Sequence, residues 1–224
     1  MSDAQLNVLV LAVGGNVSEG ILKALDLSSL PCRVIGADIA PLKLGLYTVH
    51  RAYIGPWAHE AGFLDWLMDT CRKESVQAIL TGAEPILPIL SRHSDTIRKE
   101  TGAIPIVSRP EIHEISDDKL LTCEWLRRNG FRCPAYADSE DVKAVEELAA
   151  RYRFPLLAKP RHGGGSRGLI RISDEPDLHF IAGKKGFLVQ RYIGDNASEY
   201  TAGCFSDREG VVRGTIVMRR ELHE

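Results

Sequence analysis

Apolar and polar positions change period several times along this chain, and each change marks an element. Residues 6–13 form a near-continuous apolar run, the pattern of a strand covered on both faces in a parallel sheet. Gly14-Gly15-Asn16 then turns the chain. Ser18 is placed to cap a helix over 18–27, with Ile21, Leu22 and Leu25 on one side. A second strand is predicted over 33–37. Residues 63–73 return to the helical period, with Phe63, Leu64, Leu67, Met68 and Cys71 sharing a face. Residues 76–80 and 103–107 read as further strands, and between them Pro85 can start a helix over 86–93. Four strands alternating with three helices predict a parallel α/β unit.

The pattern then changes. Residues 108–118 are polar and irregular, and Asp117 or Asp118 can cap a helix over 119–129 that Gly130 stops. An extended segment begins at Cys133-Pro134. Val142, Val145, Leu148 and Ala149 make the apolar stripe of a helix over 141–152. Leu156, Leu157 and Ala158 lead into Lys159-Pro160, the loop 161–168 follows, and 169–172 alternates again, which predicts a strand, a glycine loop and a returning strand. A helix over 175–181, a strand over 187–190 and a hairpin of 202–205 with 211–217 around Asp207-Arg208-Glu209-Gly210 complete the chain. This order is α+β, which places a boundary near residue 110.

Composition narrows the partners. A formal charge of −2 over 224 residues gives no basic surface for nucleic acid or an anionic membrane. No apolar run approaches the roughly 20 residues that span a bilayer, and the N-terminus lacks the basic-then-apolar pattern of a secretory signal, so a cytoplasmic location is expected. The five cysteines are scattered without C-x-x-C spacing, as structural thiols are.

Candidate chemistry gathers at two places. Glycines 163, 164, 165 and 168 let backbone N–H groups approach a ligand closely, an arrangement suited to phosphate oxygens, and Lys159 adds a point charge beside them. The glycine run alone also describes a plain hairpin tip; the flanking lysine favours a nucleotide. In the first half, Gly14, Asp38 and Glu84 all follow strand carboxyl ends and can share a crevice. Asp38 stands where a dinucleotide fold meets a ribose hydroxyl, but G-G-N departs from G-x-G-x-x-G. Glu84 is either a substrate contact or an acidic group favoured near a helix N-terminus.

Taken in order, the N-terminal strand with its G-G-N turn, Asp118-Lys119 followed by Leu126, Gly130 and Pro134, the run from Lys159 through GGGSRG, Val189-Gln190-Arg191-Tyr192-Ile193 and Ser198-Glu199-Tyr200-Thr201 resemble the ATP-grasp superfamily, most closely its carbamoyl-phosphate synthase large-subunit-like branch. The resemblance covers essentially the whole chain. It implies a pre-ATP-grasp domain over 1–110, an ATP-grasp A lobe over 111–185 and the start of a truncated B lobe over 186–224. It also implies that Lys119 and Lys159 hold ATP phosphates under a loop containing Gly163, Gly164, Gly165 and Ser166. Gln190, Arg191, Tyr192 and Ile193 would contact adenine, and Glu199 would lie on the ribose or substrate side. The family commonly carries Glu where this chain has Arg191, which leaves Gln190 as an alternative contact.

The implied activity is an ATP-dependent carboxylate-amine or carboxylate-ammonia ligation through an acyl phosphate, with a small carboxylate or bicarbonate and an amine as partners and a homo-oligomer as a possible assembly. The family's Mg²⁺ ligands are expected beyond the C-terminus, so no catalytic residue is assigned within the chain and this form is expected to be inactive; His223 and Glu224 are the sole local substitutes. Two other readings stand beside this one: a nucleotide-binding or interaction module without catalysis, and a nicotinamide-dependent oxidoreductase resting on the first strand and Asp38.

Overall fold

The computed structural model of the chain describes residues 5–194 and 199–220. The fold divides into two compact units, Met1–Ser116 and Asp117–Glu224.

Unit 1 contains β1 (Leu6–Leu11), α1 (Asn16–Asp26), β2 (Cys32–Asp38), β3 (Arg51–Ile54), α2 (Phe63–Lys73), β4 (Ala78–Thr81), α3 (Leu87–Arg92), α4 (Ser94–Thr101) and β5 (Ile104–Pro105), with α5 (Pro110–Asp117) at the junction. The five strands form a parallel sheet in the order β3-β2-β1-β4-β5. Helices cover both faces, so β1 is apolar and buried from Val8 to Leu11. Leu9 and Leu11 pack with Ile35, Leu67, Ile79 and Leu90 on one side, while Val8 and Val10 pack with Leu22, Leu25 and Leu80 on the other. Burial also pushes the Cys71 thiol up to about 12, against the weaker pull of Arg72, so the thiol stays protonated in this core.

Three elements depart from the sequence expectation. β3 pairs with β2 at the sheet's edge and holds three exposed residues among its four, so no apolar alternation announces it. Helix α4 buries Ile97 alone, and α5 occupies part of the stretch expected to be irregular without burying any residue. Ser18 does not cap α1, whose N-cap is Gly15. Its side chain is fully buried: the hydroxyl donates to the Leu11 carbonyl at 2.9 Å and accepts from the Gly82 N–H at 3.0 Å, tying α1 to the ends of two strands.

Unit 2 contains α6 (Lys119–Arg128), β6 (Tyr136–Asp138), α7 (Val142–Tyr152), β7 (Leu156–Pro160), β8 (Ile170–Ile172), α8 (Glu175–Ile181) and β9 (Phe187–Arg191), followed by the hairpin β10 (Tyr200–Ser206) and β11 (Val212–Arg219). The antiparallel sheet runs β6-β9-β7-β8. Thus β9, which a division at residue 186 assigns to the later lobe, is hydrogen-bonded between β6 and β7. Val145, Leu148, Leu178 and Ile181 from α7 and α8 cover the face carrying Leu156, Ala158, Ile172 and Val189. Strand alternation sends Leu188 and Tyr136 to the opposite face, where α6 packs Leu120 and Cys123. β11 is exposed along its whole length.

The two halves of unit 2 are joined by Asp118. It caps α6 by accepting the Leu120 N–H at 2.9 Å, and both its oxygens accept from Arg161 Nε at 3.1 Å. Burial pushes the Asp118 carboxyl up, but the Arg161 hydrogen bonds, the Leu120 N–H and the Arg161 charge together hold it below the usual carboxylate value.

Two outcomes follow. Leu9→Ala lowers the stability of unit 1 by about 2–5 kcal/mol, read by denaturant unfolding through Trp57 and Trp66. Because the Asp118 pKa is depressed on folding, its contribution is fully present above the unfolded value of ~3.9 and is lost as pH falls through that range. Asp118→Asn, read through Trp125, therefore destabilises unit 2 by about 1.5–3 kcal/mol at neutral pH and flattens the acid limb of its stability profile.

Candidate functional site

The loop after β7 takes its shape from left-handed residues. Gly163, Gly165 and Gly168 have φ of +87°, +67° and +71°, and Ser166 has +58°. A Cβ on Gly163 or Gly165 would meet nothing within 4 Å, so glycine is needed there for the backbone turn rather than for space. The loop is fixed at its start by the Arg161 N–H on the Gly186 carbonyl and the Lys119 N–H on the Arg161 carbonyl, each at 2.9 Å.

Two lysines meet this loop. Lys119 Nζ donates to the Gly163 carbonyl at 2.6 Å and to the Arg161 carbonyl at 3.4 Å. Lys159, half-buried on β7, has its ammonium pushed below the usual lysine value mainly by burial; Cys123 opposes this, Lys119 adds to it and Glu199 opposes it. Lys159 is therefore within electrostatic reach of both Lys119 and Glu199. Glu199 also pairs with Arg220 at the base of the hairpin.

Sheet register decides which side chains share the face of Lys159. Tyr136, Gln190, Leu157 and Arg171 form one row across the four strands, and Asp138, Leu188 and Lys159 form the next row on the same face. Gln190 is buried, and the Arg171 guanidinium lies 5.6 Å from the Tyr192 ring centroid. Arg191 falls on the other face, its guanidinium 5.2 Å from the Tyr152 ring centroid on α7, while its N–H donates to the Ala135 carbonyl. Ile193 borders an open cleft of about 890 Å³ lined also by Arg127, Arg132, Arg151, Tyr136 and Tyr152.

The structure thus gathers Lys119, Lys159, Glu199 and the Gly163, Gly164, Gly165 and Ser166 loop, with Gln190 on the face of Lys159. It turns the side chain of Arg191 to the opposite face. The Asp118–Arg161 pair, which holds Lys119 against the loop, was not anticipated from sequence; its partners are 43 residues apart, and Asp118-Lys119 ahead of Lys159-Pro160-Arg161 is the signal that could have found it. His162 Nδ1 lies 2.9 Å from Asp117 Oδ2 beside this pair.

In unit 1, Asp38 Oδ2 accepts the Gly14 N–H and Oδ1 accepts the Ile39 N–H, both at 2.8 Å, so the carboxylate closes the turn after β1. Glu84 opens a short 3₁₀ turn, Glu84–Ile86. A cavity at these strand ends is lined by Asp38, Ala83 and Pro85 but by neither Glu84 nor Gly14. Among the described residues no group of three or more His, Cys, Asp or Glu side chains could hold a metal ion. Ser198, His223 and Glu224 lie outside the described residues. No described helix is long and apolar enough to cross a membrane.

Residues 8–106 match the family model of the PylC-like N-terminal domain, and residues 116–218 match that of the ATP-grasp domain. Biotin carboxylase of Haemophilus influenzae is 25% identical over 182 residues, covering 77% of this chain and 40% of that protein. The carbamoyl phosphate synthase large chain of Archaeoglobus fulgidus is 24% identical over 179 residues, covering 76% and 16%. N5-carboxyaminoimidazole synthetase from Staphylococcus aureus, solved in complex with ADP, aligns with a TM-score of 0.69 at 13% identity, covering 95% of this chain and 54% of that one. The match spans less than half of either curated relative and about half of the solved chain, and the structural likeness at this identity speaks for the fold. With a match on each half, in the order that the strands and the glycine loop had implied, the chain belongs to the ATP-grasp superfamily, its ATP-grasp domain preceded by a PylC-like N-terminal domain.

Proposed function

We propose that the chain carries the N-terminal domain and the phosphate-binding half of an ATP-dependent carboxylate-amine ligase. The observation that carries this reading is the Lys119 ammonium on the Gly163 carbonyl with Lys159 beside it, two cations at an open glycine bend. A triphosphate placed there gains both charges, and loop N–H groups can turn toward its oxygens. Gln190 and the backbone through Tyr192 and Ile193 would take the adenine, with Glu199 toward the ribose or the acid substrate. Arg191, on the α7 face, would contribute main chain alone. The ADP in the Staphylococcus aureus enzyme and the names of the relatives support this chemistry.

In the proposed reaction a carboxylate oxygen of the acid attacks the γ-phosphorus and the bond to the ADP oxygen breaks, giving an acyl phosphate. The amine nitrogen then attacks the acyl carbon, phosphate departs and the nitrogen loses a proton. Lys119 and Lys159 hold the transferring phosphoryl group in line and offset its charge, so their contribution is positioning and electrostatic. Among the described residues no group of three or more His, Cys, Asp or Glu side chains could hold Mg²⁺.

A second reading, a nucleotide-binding module without turnover, is favoured by the β10–β11 hairpin, whose second strand is exposed throughout. The nicotinamide reading gains no support from the family matches, which name an ATP-grasp domain over residues 116–218.

Calorimetric titration with a non-hydrolysable ATP analogue tests the shared phosphate site. Lys159→Ala is expected to weaken binding about tenfold or more, and Lys159→Arg to retain most of it. Equal affinity in the wild type and Lys159→Ala rejects the site. ADP release that requires both a carboxylic acid and an amine separates the ligase from the module, for which binding occurs without release.

A further inference from the structure

The cavity at the carboxyl ends of β1, β2 and β4 has a chemistry of its own. It encloses about 160 Å³ and is lined by Leu11, Asp38, Trp57, Phe63, Trp66 and Ile86 among others. An apolar cavity of ~150 Å³ is large enough to take up benzene, so the room suits one ring or a branched aliphatic group. The walls come from rigid parts of unit 1: Leu11 and Phe63 belong to its main core, and Trp66 packs against Phe63 with ring centroids 6.1 Å apart. The cavity is built around Trp66 closely enough that a Cβ on Gly55 would come within 2.6 Å of its indole. Trp57, half-exposed, stands at the opening.

Asp38 is the one ionisable side chain in that lining, and it is buried. Each of its oxygens accepts one backbone N–H and keeps the capacity for a second hydrogen bond. The ion pairs found among the described residues of unit 1 join Glu19, Glu74 and Asp69 to basic partners and leave Asp38 out. The stem of Lys43 crosses Gly14 without pairing with the carboxylate. A buried carboxylate without a cation, among three aromatic rings whose faces also attract positive charge, selects a ligand by sign. A phosphate or carboxylate placed there would meet like charge and no cationic partner.

We propose that this cavity holds the apolar, ring-sized end of an amine, with its ammonium on Asp38. Strand carboxyl ends beside the central strand of an open α/β sheet are where such ligands collect. The class of ligand is thereby an arylalkyl or branched-alkyl amine, and a sugar phosphate is excluded from the pocket.

Trp57 and Trp66 supply the signal, measured on the full chain in a Trp125→Phe background and titrated with phenethylamine, 3-phenylpropionate and ribose 5-phosphate. The amine is expected to give a saturable fluorescence change with an affinity at least tenfold above that of either anion. Asp38→Asn is expected to weaken it at least tenfold. Because Asp38 also closes the Gly14 turn, Ala58→Leu serves as the second variant, filling the cavity while leaving the carboxylate in place, and is expected to abolish the response. Absence of a saturable response to the amine, equal binding of 3-phenylpropionate, or unchanged binding in Ala58→Leu overturns the proposal. ATP-analogue affinity in the same samples reports on the unit 2 site separately, so loss of one reading is distinguishable from loss of the other.

Discussion

Unit 2 depends on one buried carboxylate. Asp118 ends the junction, caps α6 through the Leu120 N–H and receives the Arg161 guanidinium from the far end of β7. Because Arg161 begins the glycine loop and Lys119 begins α6, this single group brings a helix terminus and a loop to the same place. The Lys119 ammonium then reaches the Gly163 carbonyl as a consequence of that arrangement. A buried ion pair is weak evidence for net stability, but it is an effective way to fix the register between two elements distant in sequence. Here it fixes the distance between a cation and the glycine loop.

Unit 1 rests on a different constraint. β1 is covered on both faces, so every one of its inward positions is filled, and the chain that leaves its carboxyl end has little freedom. Ser18 and Asp38 use their oxygens to close that end, the first on Leu11 and Gly82 and the second on Gly14 and Ile39. Polar side chains thus complete the backbone hydrogen bonds that the strand ends leave open. The aromatic cavity sits against this closed end, and the charge it presents follows from the same carboxylate.

What could be read from the sequence follows from where the hydrophobic pattern is forced. β1, α2, α7 and β7 lie against cores on at least one face, so Leu9, Leu67, Val145 and Leu156 announce them. β3 and α5 are short and bury little, so few apolar positions announce them. Ser18 has the right type for a helix cap but lies within α1, buried against the strand ends, where its hydroxyl donates to the Leu11 carbonyl. At the site, the glycines and both lysines could be named from sequence because their chemistry is local. The facing of Arg191 was not, since it depends on the pairing of β9 with β6 and β7, which turns Gln190 toward Lys159 and Arg191 toward Tyr152. The Asp118–Arg161 pair is long-range for the same reason.

The central claim is that the glycine bend, the two lysines and the end of β9 form a single nucleotide surface. Amide hydrogen exchange of the full chain, with and without a saturating non-hydrolysable ATP analogue, tests it most directly. The account predicts slowed exchange confined to residues 161–168, the start of α6 and residues 190–194. Unchanged exchange in the glycine bend, with protection appearing only in unit 1, would contradict it.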